Sequence, residues 1–271
     1  MKHRRGLVFY LALILVAFSS APSHAVLPYL ASETAVPVER GKSRLDLSFG
    51  QERWADLNPE QTRYAIIAEL SYGLINNLEF SVQVPYLFNK VEGYRNEDGL
   101  GDLTLKAKIR FIKGREANPV SIAGQVSMKF PSCDDSKALS QDCTGEPDLA
   151  VRAIASKEFF PVTVHLNLGY IYVGNPPGVQ LDDVFTYSLG LDYLTVADYF
   201  HVIGELAGES NRYPKTGNSP LSPGTSSNPL SALVGLMYEI DVDKILTLAG
   251  SVGVTNASPD HTITVGFRYM F

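Results

Sequence analysis

Apolar and polar residues alternate along most of this chain, starting near residue 42. The alternation is clearest in the final segment, 261–271, where one face consists of Ile263, Val265, Phe267, Tyr269 and Phe271. The intervening positions are mostly polar or small. Because successive side chains of a β-strand point to opposite faces, a period of two predicts a strand between two unlike environments.

The same pattern predicts twelve strands of 9 to 13 residues, and a tilted membrane strand needs about 9–11. The connections between them are alternately longer and shorter, as expected when one end of a barrel carries loops and the other carries turns. We therefore predict an all-β protein, a transmembrane up-and-down antiparallel β-barrel of 12 strands occupying residues 41–271. The predicted strands are 42–50, 62–74, 78–88, 102–112, 120–130, 148–158, 162–173, 184–194, 199–208, 230–240, 245–255 and 261–271.

A soluble β-sandwich or lipocalin-like barrel is the main alternative fold, because the strands of those proteins also alternate apolar and polar residues. Their strands average about 5–6 residues, however, which is shorter than the segments predicted here. Aromatic residues such as Tyr72, Tyr86 and Tyr172 fall near predicted strand ends, where membrane barrels carry aromatic girdles. The apolar faces also contain almost no charge, and both features favour the membrane barrel.

The N-terminus has the pattern of a cleaved secretory signal at residues 1–25. Three basic residues precede an unbroken apolar run, 7–18, and Ser23, His24 and Ala25 form a small-x-small cleavage site. The run is shorter than the span of about 20 residues that a helical membrane anchor needs. The following segment, 26–40, has no clear periodicity. We interpret it as a short periplasmic segment that precedes the barrel, with a position inside the lumen as the alternative.

Composition excludes some other classes of protein. The mean hydropathy of +0.00 is low for a helical membrane protein, but only every second residue of a barrel strand faces lipid. Loss of residues 1–25 leaves 20 Lys and Arg against 29 Asp and Glu. The basic surface expected of a nucleic-acid-binding protein is therefore absent, and we expect no nucleic-acid partner.

The two cysteines, Cys133 and Cys143, flank a polar stretch between predicted strands. An exported chain with two closely spaced cysteines favours a disulfide within this loop. Metal binding is the weaker interpretation because no histidine is nearby. We predict no metal and no cofactor.

Charged residues on the polar strand faces are the candidates for function, since those faces line the lumen of a membrane barrel. Lys106, Lys108 and Arg110 form a basic ladder on the fourth predicted strand, which Lys129 and Arg152 could extend, and Asp192, Glu205 and Glu239 form an acidic group in the later strands. Opposed basic and acidic walls would orient polar solutes; the alternative is an ion-pair network that fills a narrow lumen. Closure of strand twelve on strand one would bring Arg268 near Arg44 or Asp46. The candidate pore-lining residues are Lys106, Lys108, Arg110, Lys129, Arg152, Glu69, Glu79, Asp192, Glu205 and Arg268.

Enzymatic signals are weak, and we predict that the protein is not an enzyme. His165 and His201 fall on predicted lumen faces, away from the lipid-facing surface where an outer-membrane phospholipase would hold its His–Ser pair. His261 has Ser258 nearby, but no motif supports catalysis, and isolated histidines of this kind are usually structural.

Several short segments of the chain form a recognisable set: YGLINNLEF at 72–80, VPY at 84–86, GLGDL at 99–103, LKAK at 105–108 and VGFRYMF at 265–271. Together they resemble the outer-membrane transporter family associated with the meta-pathway of phenol degradation. The aromatic C-terminal end also resembles the closing strand of outer-membrane barrels, so Tyr269 and Phe271 are candidates for the signal that the barrel assembly machinery reads.

The resemblance implies a channel in the outer membrane of a Gram-negative bacterium. It would pass small molecules, including hydrophobic or aromatic compounds, and its partners would be the lipid bilayer, the assembly machinery and the solute. The alternative is a structural or surface-binding barrel that acts through its extracellular loops, among them 131–147 and 209–229.

Overall fold

A computed structural model of the chain describes residues 31–54, 60–115, 119–133, 145–175, 181–195, 199–210 and 228–271. Its regular structure consists of β-strands. No helix in these ranges is long and apolar enough to cross a bilayer. The strands are β1 (Ser43–Trp54), β2 (Gln61–Ile75), β3 (Leu78–Val91), β4 (Glu97–Leu100), β5 (Leu103–Ile112), β6 (Val120–Phe130), β7 (Asp148–Phe159), β8 (Val162–Tyr172), β9 (Val184–Leu194), β10 (Phe200–Ser210), β11 (Leu230–Asp241), β12 (Lys244–Gly253) and β13 (His261–Met270).

The strands form one closed antiparallel sheet in which successive strands pair, except that β4 and β5 both pair with β3. The ring closes because β1 pairs with both β2 and β13, with Asp46 opposite Arg268. Main-chain bonds between Ser43 and Phe271, of 2.7 and 2.9 Å, extend this seam to the end of the chain. The predicted antiparallel barrel is confirmed. We call the end with the short connections and Phe271 the turn end, and the opposite end the loop end.

Two strands, β4 and β5, share one position in the barrel, so the thirteen strands make twelve positions. Both pair with β3, and the register changes between them opposite Pro85. Pro85 has no N–H to donate, while its carbonyl accepts a 2.9 Å bond from the Gly101 N–H. The prediction of a loop between the third and fourth strands, at 89–101, is therefore wrong, because β3 reaches Val91 and the chain returns as β4.

The outer face of the barrel is apolar, as the alternation predicts. Leu70, Phe80 and Leu248 are each about half exposed, and most strands present similar side chains outward. Aromatic pairs lie outside at both ends, with Tyr269 and Phe271 at the turn end and Tyr170 near the loop end. A soluble barrel would bury this face, so the arrangement is that of a transmembrane barrel.

The turn half of the barrel interior contains apolar side chains as well as polar ones. Ile203, Met237 and Ile245 form one buried cluster. A second buried cluster joins barrel residues Ala123 and Ile154 to Ala35 of the N-terminal segment. Since these residues face inward, they narrow the interior toward the turn end.

Candidate functional site: the barrel lumen and its N-terminal segment

Residues 31–38, the lumen segment, lie inside the barrel and are held by side chains of the wall. The N–H groups of Ala31 and Ser32 donate to the two carboxylate oxygens of Glu205, at 3.1 and 2.7 Å. Asn167 makes a pair of bonds with the main chain of Glu33, at 2.9 and 3.0 Å. The remaining wall bonds run from Ser32 Oγ to Ser188 Oγ, from the Ala35 N–H to Ser156 Oγ and from the Val38 N–H to Glu79 Oε2.

Of the two positions considered for residues 26–40, the periplasm and the lumen, residues 31–38 take the lumen. A segment without a partner strand must satisfy its main-chain donors in another way, and here the polar lumen face supplies the acceptors. The proposed signal sequence at 1–25 and residues 26–30 lie outside the described part of the chain.

The lumen segment leaves the barrel through a tight turn at the turn end. Gly41 adopts a positive φ of 78°, a conformation that glycine adopts without strain. Gly73 of β2 lies against the main chain of the segment, and a Cβ there would overlap the carbonyl oxygens of Val38 and Glu39. The absence of a side chain at position 73 therefore allows the segment to pass close to the wall.

The carboxylate of Glu33 is the centre of the charged site. Gln125 Nε2 donates to both of its oxygens, at 3.0 and 2.9 Å. Lys108 Nζ lies 3.3 Å away, Arg152 Nη1 3.5 Å and Lys106 Nζ 3.8 Å. Burial raises the pKa of Glu33, but the three positive charges and the Gln125 hydrogen bond outweigh it and hold this pKa below its ordinary value. Glu33 is therefore a carboxylate at neutral pH.

The two central lysines also have carboxylate partners on the barrel wall. Lys106 Nζ lies 2.9 Å from Glu69 Oε2, and Lys108 Nζ lies 2.9 Å from Glu79 Oε1. Lys108 and Glu79 are almost fully buried. The structure thus brings five of the predicted residues together, namely Lys106, Lys108, Arg152, Glu69 and Glu79. It adds Glu33, which the sequence did not single out.

A second ion-pair group lies at the seam of the barrel. Asp46 accepts 2.7 and 2.6 Å bonds from Arg44 Nε and Arg268 Nε, and all three side chains are buried. The predicted approach of Arg268 to Asp46 is present. Arg44 also lies 3.7 Å from Glu79, which connects the seam to the Glu33 site.

Two predicted basic residues lie away from this centre. Arg110 donates to the Asn76 carbonyl at 3.1 Å, beside the β2–β3 turn, and the register of β5 with β6 shifts directly after it, between Arg110 and Ile112. Lys129 lies near the loop end, 2.8 Å from Asp148 and 3.3 Å from Asp102. The predicted ladder is therefore divided into a central pair and two outlying residues.

The acidic group predicted in the later strands is also divided. Asp192 Oδ1 lies 2.7 Å from His201 Nδ1, while Glu239 lies 3.5 Å from the other ring nitrogen. Glu205 instead binds the lumen segment. His165 lies 2.8 Å from Ser156 Oγ. None of the acidic and histidine groups within the described ranges has the arrangement of a metal site.

The described residues enclose cavities inside the barrel. One of about 450 Å³ extends from Glu52 and Arg63 near the loop end to Arg268 near the turn end, and Glu33 and Lys106 line its middle. Another, of about 350 Å³, lies near the loop end beside Arg152. The interior therefore has space for small solutes beside the lumen segment.

The cysteine loop is described only in part. Cys133 is not a free thiol, and its N–H donates to Asp102 Oδ1 at 2.9 Å. Cys143 lies outside the described residues, so its pairing with Cys133 stays a prediction.

Several residues of the site have no distinctive sequence signal. Glu33 is one charge in a segment without periodicity, and Asn167, Gln125 and Ser156 are ordinary polar residues of a lumen face. Their alternation placed them inside the barrel, but no pattern identified the segment that they bind. A count of main-chain donors in 26–40 without a partner strand is the signal that could have identified them.

The closed sheet, the apolar exterior and the charged interior define a transmembrane β-barrel with a partly filled lumen. Residues 34–271 match the family model described as "Putative MetA-pathway of phenol degradation", and the chain belongs to that family. No curated protein matches the chain.

Solved structures share the fold at low sequence identity. A COG4313 outer membrane channel from Pseudomonas putida F1 is 14% identical, with a TM-score of 0.70 over 88% of this chain and 98% of that one. The NanC porin is 13% identical, with a TM-score of 0.56 over 83% of this chain and 98% of that one. The KdgM porin is also 13% identical, with a TM-score of 0.52 over 84% and 99%.

Proposed function

We propose that this protein is a passive channel for small molecules in the outer membrane of a Gram-negative bacterium. The observation that carries the proposal is the cavity of about 450 Å³ inside a closed barrel, lined by charged side chains from near the loop end to near the turn end. Solved proteins with this fold bear the names outer membrane channel and porin, which supports the same conclusion. The family's description points to compounds of aromatic degradation as solutes.

The remaining features of an exported barrel belong to the same proposal. Residues 1–25 are the secretory signal, the assembly machinery recognises Tyr269 and Phe271, and Cys133 pairs with Cys143. The aromatic pair supports this assignment, because Tyr269 and Phe271 lie on the outer surface with their rings stacked 5.4 Å apart.

The lumen segment determines how open the channel is. It fills part of the interior, and its Ala35 packs into an apolar cluster in the turn half. Since this is the narrowed part of the barrel, displacement of the segment should widen the passage. About one hydrogen bond per residue holds the segment to the wall. Each such bond contributes about 0.5–1.5 kcal/mol to the stability of the bound segment.

Conductance in planar bilayers tests the proposal. The mature chain should form channels, and a variant lacking residues 31–38 should form larger ones, because the deletion removes the segment without touching a strand. Heat-modifiable migration in detergent gels verifies that both proteins are folded barrels. Folded proteins that show neither conductance nor solute flux into liposomes would refute the channel.

A barrel that does not transport is the second candidate. The apolar clusters and the lumen segment, which obstruct the turn half, favour it. In that case the extracellular loops would carry the function, and deleting residues 31–38 would leave the bilayer non-conducting.

A further inference from the structure

The contacts of Glu33 have the form of an anion-binding site that the chain's own carboxylate occupies. Four side chains on three adjacent strands converge on the two oxygens, with Lys106 and Lys108 on β5, Gln125 on β6 and Arg152 on β7. Two nitrogen–oxygen distances are about 3 Å, and the other groups lie within 3.8 Å. Carboxylates are bound in this way by amide and cationic donors together.

Barrel contacts position the lysines of this site independently of the lumen segment. Lys106 is held by Glu69 and Lys108 by Glu79, each at 2.9 Å. Gln125 and Arg152 behave differently, because within the described residues their side chains make their hydrogen bonds and ion pairs with the lumen segment. Removal of Glu33 would leave these two groups without the carboxylate that they now bind.

The wall around Glu33 also carries an excess of positive charge. Lys106, Lys108 and Arg152 contribute three cations, while Glu69 and Glu79 contribute two carboxylates. Glu33 supplies the missing negative charge. A wall that is neutral only with the segment in place will attract an anion when the segment moves away.

The cavity next to this site has room for the body of such an anion. It is lined by Ala65, Ile67 and Leu233 as well as by the charged groups. A ligand with one carboxylate and a small apolar body would place each part against a matching surface.

We propose that Lys106, Lys108, Gln125 and Arg152 form a binding site for small organic monocarboxylates, and that Glu33 occupies it as an internal stand-in for the solute. The proposal rests on the proposed channel function and names its solute class. The solute carboxylate takes over the Gln125 hydrogen bonds and the three cationic contacts as Glu33 withdraws. Solute entry and release of the lumen segment are thereby coupled.

Benzoate binding to the folded barrel, measured by calorimetry, tests the site without requiring conductance. Glu33→Ala should bind benzoate at least about tenfold more tightly than the unmodified chain, because the competing carboxylate is gone. Glu39→Ala is the matched control, since it removes a carboxylate from the same end of the chain, with an exposed side chain outside the lumen site, and should change nothing. Glu33→Gln repeats the test with the side-chain shape retained.

Two further arms identify the chemistry of the ligand. Benzyl alcohol, which lacks the carboxylate, should not gain affinity in Glu33→Ala, and adding Arg152→Met should reverse the gain for benzoate. In a salt gradient, Glu33→Ala should raise the chloride-to-potassium permeability ratio about fivefold. This factor corresponds to about 1 kcal/mol, the interaction energy of one charge with an ion near 4 Å in a water-like medium.

The outcomes separate the two proposals. Unchanged benzoate affinity in folded Glu33→Ala, or an equal gain for benzyl alcohol, would overturn the carboxylate site and leave the channel standing. Tight benzoate binding with no conductance in any variant would support the site and refute the channel.

Discussion

Asp46 is the carboxylate that pairs with two arginines at the seam where the first and last strands close the barrel, so Asp46→Asn should destabilise the fold. Its carboxylate lies 2.7 Å from Arg44 Nε and 2.6 Å from Arg268 Nε, and the side chains are 3 to 8% exposed. Breaking a buried ion pair costs about 3–5 kcal/mol. Asparagine keeps the shape and one acceptor oxygen, so we expect the lower end, about 3 kcal/mol.

Urea unfolding in lipid vesicles, followed by the fluorescence of Trp54, measures this loss. Trp54 is the only tryptophan of the chain and is 8% exposed in the barrel. The midpoint should fall while the slope of the transition stays constant, because the surface exposed on unfolding is unchanged.

Glu39→Gln provides the control for this prediction. Glu39 pairs with Lys42 at 2.7 Å, a distance like those at Asp46, but the side chains of Glu39 and Lys42 are both largely exposed. Water and salt screen such a pair, so its loss should leave the midpoint unchanged. Equal midpoints for the two variants would refute the claim that the buried seam stabilises the barrel.

Three other substitutions test separate parts of the structure. Gly73→Ala should displace the lumen segment and raise conductance, whereas Gly50→Ala, whose Cβ would contact only Thr264 at 4.0 Å, should not. Deletion of Phe271 should reduce the heat-modifiable fraction, because its main chain makes two of the hydrogen bonds that close the seam. Lys108→Met should destabilise the barrel by about 3–5 kcal/mol, since it leaves the buried Glu79 without its nearest cation.

The barrel wall was predictable because its two environments impose a period of two on the sequence. Val265 and Tyr269 face outward and Arg268 faces inward, as their alternation indicates. The same phase predicted that closure would bring Arg268 near Arg44 or Asp46, and the register of β1 with β13 places it opposite Asp46. The irregular part of the fourth strand could not be found in this way, because 97–100 has no alternating apolar face.

The contents of the lumen were less predictable for a different physical reason. Alternation specifies which side chains point inward, but not what they meet across the interior. Glu33 and Ala35 belong to a segment without a pattern. Ala35 contacts Ser156 and packs in one cluster with Ile154, residues that lie 121 and 119 positions further along the chain. The basic ladder lies on the predicted face of its strand, but its members do not share one site. Arg110 donates to the Asn76 carbonyl instead of joining Lys106 and Lys108.

The most direct test of a channel narrowed by its own lumen segment is conductance of the double variant Ser32→Cys and Ser188→Cys. The two hydroxyl oxygens lie 2.9 Å apart in the lumen, close enough for a disulfide to form with small adjustments. The oxidised variant should stay at low conductance, and reduction should restore the level of the unmodified chain, which serves as the control for the reductant. Equal conductance in the oxidised and reduced states would contradict the account.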